Sequence, residues 1–174
     1  MSEKLVNNVF IGIGSNLGNR RSNIEKAKFY LNENKIKFIG ISHYYETPSW
    51  PDPKKPKFLN IVLKVSCKND PIHLLKICKQ IEMKLGRKKS IKNSPRTCDI
   101  DIIDFNGTVS NKLLTLPHKL MHKRNFVLFP LLDIEKHWQH PIMKVDVKRL
   151  IFLLPNKDIR SIKQILINVI INNA

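Results

Sequence analysis

Two aspartates spaced one residue apart, Asp99 and Asp101, are the residues whose types and spacing most directly suggest chemistry. They stand in the stretch PRTCDIDIIDF, among β-branched residues that favour a strand. Because side chains at positions i and i+2 of a strand point to the same face, both carboxylates would project together. Mg²⁺ is typically held by one or two carboxylates plus substrate phosphates. The pattern fits a divalent-metal site, while D-x-D alone also fits two solvated aspartates on a strand edge.

Basic residues come immediately before these aspartates. The segment RKKSIKNSPR, residues 87–96, is turn-prone and joins a predicted helix to the predicted strand. Its first and last residues, Arg87 and Arg96, are suited to bidentate phosphate contacts. The exposed side of the preceding helix is expected to carry Lys79 and Glu82. A run of charges is usually a solvated surface, but carboxylates in both flanking elements favour a phosphate clamp here.

The elements before this region must position it. The start, VFIGIGSNLGNR, predicts a buried strand followed by a turn over residues 14–18. Gly14 either serves that turn or lets the backbone approach a ligand closely, which only glycine allows. A helix follows, for which Ser22 and Glu25 would form a capping box.

Two further strands are predicted on either side of a proline-rich loop. Residues 36–45 form the first strand, residues 48–57 form a loop that cannot pair as a strand, and residues 58–67 form the second strand. Asn60 is polar on an otherwise apolar strand, so it needs a hydrogen-bond partner. That partner is either a buried backbone group or a ligand.

The remaining elements follow from caps and periodicity. Asp70 is expected to cap a helix that ends at Gly86. Asn106 and Gly107 predict a tight turn. The C-terminal region holds two amphipathic stretches, residues 147–154 and 159–171, that are interpreted as structural.

Composition places the chain among single-domain globular proteins. The 174 residues, with 42% hydrophobic and 26% charged, predict one domain spanning residues 1–174. The net charge of +17 indicates either an anionic partner or a general bias toward surface lysine, since the lysines are scattered. Cys67, Cys78 and Cys98 form no paired motif and are expected in the core. No N-terminal signal segment is evident and no apolar run is long enough to span a bilayer, so a reducing, cytoplasmic setting without membrane contact is the expectation. The chain is also expected to be a monomer.

Four motifs together carry a family resemblance. These are GIGSNLGNR, then YETPSW with FLN after the proline loop, then GR ahead of PRTCDIDIIDF, and finally LPHKLMHKRNFVLFPL. In this order they resemble 6-hydroxymethyl-7,8-dihydropterin pyrophosphokinase, over about residues 9–141. The resemblance implies an α+β fold, a ferredoxin-like antiparallel sheet with packed helices and flexible loops over the active site. It also implies transfer of the β,γ-pyrophosphoryl group of ATP to the hydroxymethyl oxygen of the pterin, a step in folate biosynthesis.

The resemblance implies roles for particular residues. Asp99 and Asp101 would be the metal ligands for two Mg²⁺ ions, and they form the catalytic set with Arg87 and Arg96. ATP would contact Glu82, Arg87, Lys89, Arg96, Ile102, His118, Lys119 and Arg124. The pterin would contact Gly14, Thr47, Pro48, Trp50, Phe58, Asn60 and Phe126.

This chain departs from the family pattern at four positions. Lys79 stands where the family often has glutamine, Lys89 replaces a loop arginine, Asn93 stands where a tryptophan often closes the loop, and Lys119 replaces a tyrosine. These departures bear on rate and loop closure more than on reaction type. Two other functions remain alternatives: a basic nucleic-acid-binding module and another D-x-D phosphotransferase or nuclease. Because the aromatics cluster at the pterin motifs, nucleic acid is not the expected partner.

Overall fold

The computed structural model describes residues 6–87 and 94–166 and contains a six-stranded and a two-stranded sheet with five α-helices. The strands are β1 Asn7–Ser15, β2 Lys37–Ile41, β3 Tyr44–Thr47, β4 Phe58–Cys67, β5 Asp99–Phe105, β6 Ser110–Asn111, β7 Thr115–Leu116 and β8 Lys163–Ile165. The helices are α1 Arg20–Glu33, α2 Pro71–Lys84, α3 Asn125–Ile134, α4 Val147–Phe152 and α5 Asn156–Ser161, with a 3-10 turn at Met121–Lys123.

The larger sheet is antiparallel throughout and confirms the predicted fold. Its strand order is β5-β1-β4-β3-β8, and β2 pairs with β4 beside β3. Helix α1 connects β1 to β2, and α2 connects β4 to β5. This β-α-β-β-α-β order, with β1 and β4 at the centre, is the ferredoxin-like arrangement.

Alternating residues of the central strands divide the hydrophobic core into two clusters. Val9, Ile11 and Ile13 of β1 face one side and pack in a cluster with residues of α1 and α2. Phe10 of β1 faces the other side and packs in a cluster with residues of α3 and α4. Because successive side chains of a strand point to opposite faces, the same strand supplies side chains to both clusters in alternation.

The capping box predicted at the start of α1 is wrong. Asn19 caps α1 by accepting a hydrogen bond from the Ser22 N–H at 3.0 Å, so Ser22 is not the capping residue. The Glu25 carboxylate accepts hydrogen bonds from Lys28 and from the Tyr44 hydroxyl and forms no capping box.

The strand predicted over residues 36–45 is divided into β2 and β3. At the break, the Ser42 hydroxyl accepts a hydrogen bond from the Val62 N–H at 2.9 Å, and the Ser42 N–H donates to the Val62 carbonyl. A side chain therefore replaces one backbone partner where the strand is interrupted.

Other expected features are confirmed. Asp70 caps α2 by accepting from the N–H groups of Ile72 and His73, and Gly86 follows its end with a positive φ of 87°. All three cysteines are free and buried. None of the helices in the two described ranges has the length and apolar character needed to traverse a lipid bilayer.

The C-terminal region differs from its predicted pattern. The first amphipathic stretch forms α4, but the second begins inside α5 and continues as β8, which pairs with β3. Backbone pairing to an exposed sheet edge therefore overrides the helical periodicity there. Residues 167–171 of this stretch lie outside the described residues.

Candidate active site

A cavity of about 290 Å³ opens on the sheet face that carries α3. Strands β1, β3, β4 and β5 provide its floor, and its walls come from α2, the loop after β3, the segment before β5 and the start of α3. It is lined by Gly12, Ile13, Gly14, Thr47, Pro48, Trp50, Phe58, Asn60, Ile61, Lys79, Arg87, Arg96, Asp99, Asp101, Ile103, His118, Arg124, Phe126 and Val127.

One row of residues across the sheet sets the spacing of the cavity. Gly14 of β1 pairs with Asn60 of β4 on one side and with Asp99 of β5 on the other. Since neighbouring strands lie about 4.8 Å apart, Asn60 and Asp99 are separated by roughly 10 Å. A Cβ at Gly14 would lie 2.9 Å from the Asn60 Oδ1 and 3.4 Å from Phe58. The glycine therefore leaves open the space between the amide and the carboxylate.

Asp99 lies between two arginines. Its Oδ1 is 2.6 Å from the Arg87 Nη1, and its Oδ2 is 2.8 Å from the Arg96 Nη2. Burial raises the pKa of the Asp99 carboxyl, but the Arg96 and Arg87 guanidinium groups outweigh burial and hold that pKa below its usual value. Asp99 is therefore an anion at neutral pH.

Asp101 lies on the same face, one pair further along β5, opposite Gly12. Its Oδ2 is 3.7 Å from the Arg124 Nη1 and 3.9 Å from the His118 Nε2. The expectation that both carboxylates share one face is confirmed, since both line the cavity. The two differ in their surroundings, because among the described residues the cationic contacts of Asp101 are these two longer ones, and its side chain is 38% exposed.

His118 faces Asp101 as a neutral ring. Burial lowers the pKa of His118, although Asp101 acts in the opposite direction. Its Nδ1 accepts a hydrogen bond from the Leu120 N–H at 3.3 Å. The proton of the neutral ring is thereby placed on Nε2, the nitrogen that faces Asp101, where it can donate a hydrogen bond into the cavity.

Glu82 corrects a prediction. It was expected on the exposed side of α2, but it is 1% exposed. Its Oε1 accepts a hydrogen bond from the Ile100 N–H at 2.7 Å, and its Oε2 lies 2.7 Å from the Arg87 Nη1. Glu82 therefore attaches α2 to β5 and holds Arg87 beside Asp99. The tertiary contact with β5 buries a side chain that helical periodicity alone places at the surface.

The opposite end of the cavity has apolar walls and one amide. Asn60 is 5% exposed, and its Nδ2 donates to the Thr47 Oγ1 at 3.1 Å. A protein group thus satisfies one donor of this amide, and the side chain also lines the cavity. The ring of Phe58 lies beside Asn60 at Gly14, with the Arg96 guanidinium 5.4 Å from its centroid. The ring of Phe126 also lines the cavity, with the Arg124 guanidinium 5.5 Å from its centroid.

Comparison with known proteins identifies the family. The family described as 7,8-dihydro-6-hydroxymethylpterin-pyrophosphokinase (HPPK) matches residues 10–136. This chain belongs to the HPPK family. The matched residues include every side chain that lines the cavity, whereas α4, α5 and β8 follow the matched range.

Relatives of the HPPK family include proteins of similar and of greater length. The chain is 40% identical over 141 residues to an Aquifex aeolicus 2-amino-4-hydroxy-6-hydroxymethyldihydropteridine pyrophosphokinase, covering 80% of this chain and 88% of the relative. It is 34% identical to the Bacillus subtilis protein of the same name over 132 residues, covering 74% and 79%. The Dictyostelium discoideum folic acid synthesis protein FOL1 is 38% identical over 151 residues, covering 86% of this chain but 23% of that protein.

Solved structures support the HPPK fold. A Plasmodium falciparum HPPK-DHPS variant crystallised with pterin and p-hydroxybenzoate aligns with a TM-score of 0.72 at 16% identity, covering 95% of this chain and 48% of that chain. An HPPK-DHPS in complex with substrates aligns with a TM-score of 0.68 at 16% identity, covering 92% and 47%. The chain therefore spans about half the length of these solved chains.

Most residues that the HPPK resemblance singled out meet in the cavity. The predicted pterin residues Gly14, Thr47, Pro48, Trp50, Phe58, Asn60 and Phe126 all line it. So do Arg87, Arg96, Asp99, Asp101, His118 and Arg124 from the predicted ATP and metal sets.

Three predicted ATP residues do not line the cavity. The Glu82 side chain is buried behind Arg87, and the Ile102 side chain is 2% exposed in the core on the other face of the sheet. A nucleotide contact at Ile102 would therefore come from its backbone. Lys119 is exposed outside the cavity. Lys89 and Asn93 lie outside the described residues.

Sequence reasoning assigned no function to several residues that the structure places at the site. Gly12, Ile103 and Val127 line the cavity, and the alternation of Gly12 with Gly14 along β1 was the pattern that could have indicated one of them. Asn16 was predicted only as part of the turn over residues 14–18, yet it is 3% exposed and hydrogen-bonded to Arg96 and to both ends of the proline-rich loop.

Proposed function

We propose that the chain transfers the β,γ-pyrophosphoryl group of ATP to the hydroxymethyl oxygen of 6-hydroxymethyl-7,8-dihydropterin. The acceptor oxygen attacks the β-phosphorus, the bond from that phosphorus to the α,β-bridging oxygen breaks, and AMP leaves. The products are AMP, the pterin pyrophosphate and the proton of the acceptor hydroxyl. Membership of the HPPK family supports this reaction.

The observation that carries the proposal is the Asp99–Gly14–Asn60 row. It sets carboxylates with their arginines and the Asn60 amide two strands apart in one cavity, which the rings of Phe58 and Phe126 also line. A reaction between a polyphosphate and a flat heterocycle needs these two environments within one site, because holding both reactants in place removes most of the entropic cost of bringing them together.

The carboxylate end fits Mg²⁺. Asp99 and Asp101 provide oxygen ligands on one face, which is the ligand type this ion prefers. Within the described part of the chain, no cluster of three or more His, Cys, Asp or Glu side chains is arranged to hold a metal. Two carboxylates suit an ion that takes its remaining ligands from water and substrate phosphates. Bound Mg²⁺ would neutralise phosphate charge and orient the attacking and leaving oxygens.

Cationic side chains of the cavity would bind the triphosphate. Lys79, Arg87, Arg96 and Arg124 line it, against the two carboxylates, so the lining carries excess positive charge. The Arg96 Nε is buried and has no hydrogen-bond partner among the described residues. A buried donor without a partner is costly, and a phosphate oxygen is a suitable acceptor for it.

The other end would bind the pterin. Phe58 and Phe126 offer faces on which a flat ring can stack, and Asn60 offers a fixed amide to its polar edge. Because Thr47 holds the Asn60 amide, its orientation is set before a ligand arrives. This arrangement favours a heterocycle with both donors and acceptors over a simple aromatic ring.

The test is a product analysis. Purified protein with ATP, Mg²⁺ and the dihydropterin alcohol is expected to give AMP and the pterin pyrophosphate in equal amounts, measured by chromatography and phosphorus NMR. Omitting Mg²⁺ with a chelator present is expected to stop the reaction. Formation of ADP and a pterin monophosphate would show that a single phosphoryl group is transferred, which would contradict the proposed pyrophosphoryl transfer.

A further inference from the structure

Asn16 has a buried side chain that joins two parts of the candidate active site. It directly follows β1, and its side chain is 3% exposed. Neither the cavity lining nor any predicted set of ligand-binding residues includes it. Its four hydrogen bonds nevertheless all end on segments that contribute to the cavity.

Two of these hydrogen bonds hold Arg96. The Asn16 Oδ1 accepts from the Arg96 N–H at 2.8 Å, and the Asn16 N–H donates to the Arg96 carbonyl at 3.2 Å. Both polar groups of the Arg96 backbone are thus bound to one residue. Arg96 in turn places its guanidinium 2.8 Å from Asp99 and close to the Phe58 ring.

The other two hydrogen bonds hold the proline-rich loop between β3 and β4. The Asn16 Nδ2 donates to the Ser49 Oγ at 3.3 Å and to the Pro56 carbonyl at 3.1 Å. Ser49 lies near the start of the loop and Pro56 near its end. One amide nitrogen therefore fixes both ends of the loop that presents Pro48 and Trp50 to the cavity.

Only an amide side chain of this length can bind both the Arg96 backbone and the proline-rich loop. The Nδ2 group has two hydrogens and both are used, while the Oδ1 accepts from Arg96. Aspartate would keep the acceptor for Arg96 but would have no donor for the loop. Glutamine is one methylene longer in a site with no exposed room, and alanine would lose both connections.

We propose that Asn16 is a positioning residue that couples the proline-rich loop between β3 and β4 to Arg96. The proposed pterin site and the arginine that would bind phosphate are thereby held in one geometry. This inference rests on the proposed pyrophosphoryl transfer. The Oδ1 of this side chain fixes the backbone of Arg96 and its Nδ2 fixes both ends of the loop, so one residue sets the position of each relative to β1. Misplacement on the order of 1 Å lowers turnover by about a hundredfold in the stronger cases.

Three variants separate the two connections in a steady-state assay of AMP formation. Ser49→Ala removes one loop contact and is expected to raise the KM for the pterin about threefold with kcat unchanged. Asn16→Ala is expected to raise that KM about tenfold and to lower kcat by about tenfold. Asn16→Asp is expected to restore kcat to within about threefold of the unmodified chain while leaving the pterin KM high, because only the acceptor for Arg96 is retained.

Asp104→Asn is the matched control. Asp104 is also buried and also accepts two hydrogen bonds, from the Trp138 Nε1 and the Gly107 N–H, but it lies at the other end of β5. Its variant is expected to lower the melting temperature while leaving kcat and both KM values unchanged. Calorimetric titration of each variant with the pterin and a non-hydrolysable ATP analogue measures the loop connection independently of turnover.

The outcomes distinguish the inference from the proposed function. If the unmodified chain forms no AMP, the proposed function fails. If it forms AMP but Asn16→Ala and Asn16→Asp share the same kcat and pterin KM, the coupling is wrong. If Asn16→Ala does not fold, the comparison of Asn16→Asp with Ser49→Ala decides: a raised pterin KM with near-normal kcat in both supports coupling, and unchanged pterin affinity in both overturns it.

Discussion

The two faces of the central sheet are built from the same strands and differ in what covers them. On the face under α1 and α2, Val9, Ile11 and Ile13 of β1 are at most 1% exposed in one continuous core. On the other face, β1 contributes Phe10 to the second core and then Gly12 and Gly14 to the cavity. The face under α1 and α2, called the closed face, carries core side chains along the whole of β1. The other face, called the open face, carries core side chains along half of β1 and borders the cavity along the rest.

This difference shows how one sheet can carry polar residues and glycines on one face while the core on its other face stays continuous. The apolar positions that stabilise the sheet occur at every second residue, so the alternate positions are free to be glycine, asparagine or aspartate. The polar residues of the cavity lie on the second face, next to the region that α3 and α4 cover. The following four experiments test this contrast, from the largest expected effect to the smallest.

Removing either carboxylate of the open face is expected to have the largest effect. Asp99→Ala and Asp101→Ala should each lower kcat by about 10²- to 10³-fold, because the proposed Mg²⁺ would be held more weakly and its stabilisation of the transferring group's charge would be lost. Glu33→Ala, at an exposed position of α1, is the matched control and should leave kcat unchanged. Near-normal turnover of either aspartate variant, measured as AMP formation, would contradict its proposed role as a metal ligand.

Filling the gap in the row should close the pterin end. Gly14→Ala places a Cβ 2.9 Å from the Asn60 Oδ1, too close for an ordinary contact. Overpacking of this kind costs about 1–3 kcal/mol, so the pterin KM should rise at least about fivefold, with a smaller change in the KM for ATP.

Gly40→Ala is the control for this substitution. A Cβ at Gly40 would lie 3.6 Å from Ile134, an ordinary van der Waals distance, and Gly40 is in β2, outside the cavity. Its kinetic constants should match those of the unmodified chain. Equal effects of the two glycine variants would show that Gly14 serves the strand and not the substrate.

Removing one aromatic wall should weaken pterin binding more than ATP binding. Phe126→Ala loses a stacking face worth about 0.5–1.5 kcal/mol beyond its buried area, so pterin affinity should fall about threefold to tenfold or more. Phe129→Ala is the control on the same helix, because its ring packs near Tyr45, with centroids 6.5 Å apart, and does not line the cavity. Calorimetry that finds equal losses for pterin and ATP in Phe126→Ala would contradict the stacking assignment.

The smallest effect is expected on the closed face, where the buried cysteine thiols should not react with a disulfide reagent. Burial raises the pKa of Cys78 to about 12 and that of Cys98 to about 12. Because pH 8 is well below both pKa values, the two thiols remain protonated and no thiolate is present to react. A disulfide reagent is expected to label neither thiol in the folded protein and all three cysteines in denaturant. Rapid labelling of Cys78 or Cys98 at pH 8 would show that solvent reaches this face.

Local sequence patterns were sufficient for much of the fold. The Asp70 cap, the turn at Gly86 and the strand alternation are short-range features, and the structure confirms them. Patterns failed where two local solutions compete. Asn19 and Ser22 can both cap α1, and the choice depends on where the turn after β1 places the chain.

The candidate site was predictable where one strand decides the outcome. The i, i+2 spacing of Asp99 and Asp101 placed both carboxylates on one face without knowledge of the fold. The family motifs then indicated partners for them from distant parts of the chain. Glu82 was misplaced because helical periodicity reports the faces of a helix but not the backbone N–H of Ile100 that it meets.

The sequence by itself determined which residues share a face, where α2 begins and ends, and to which family the chain belongs, because these depend on periodicity, caps and motif order. Tertiary structure alone decided which of these residues meet. Antiparallel pairing brought Asp99, Gly14 and Asn60 into one row from positions up to 85 residues apart in the numbering. It also gave Asn16 its partners, since hydrogen bonds between segments distant along the chain leave no periodic trace in the sequence.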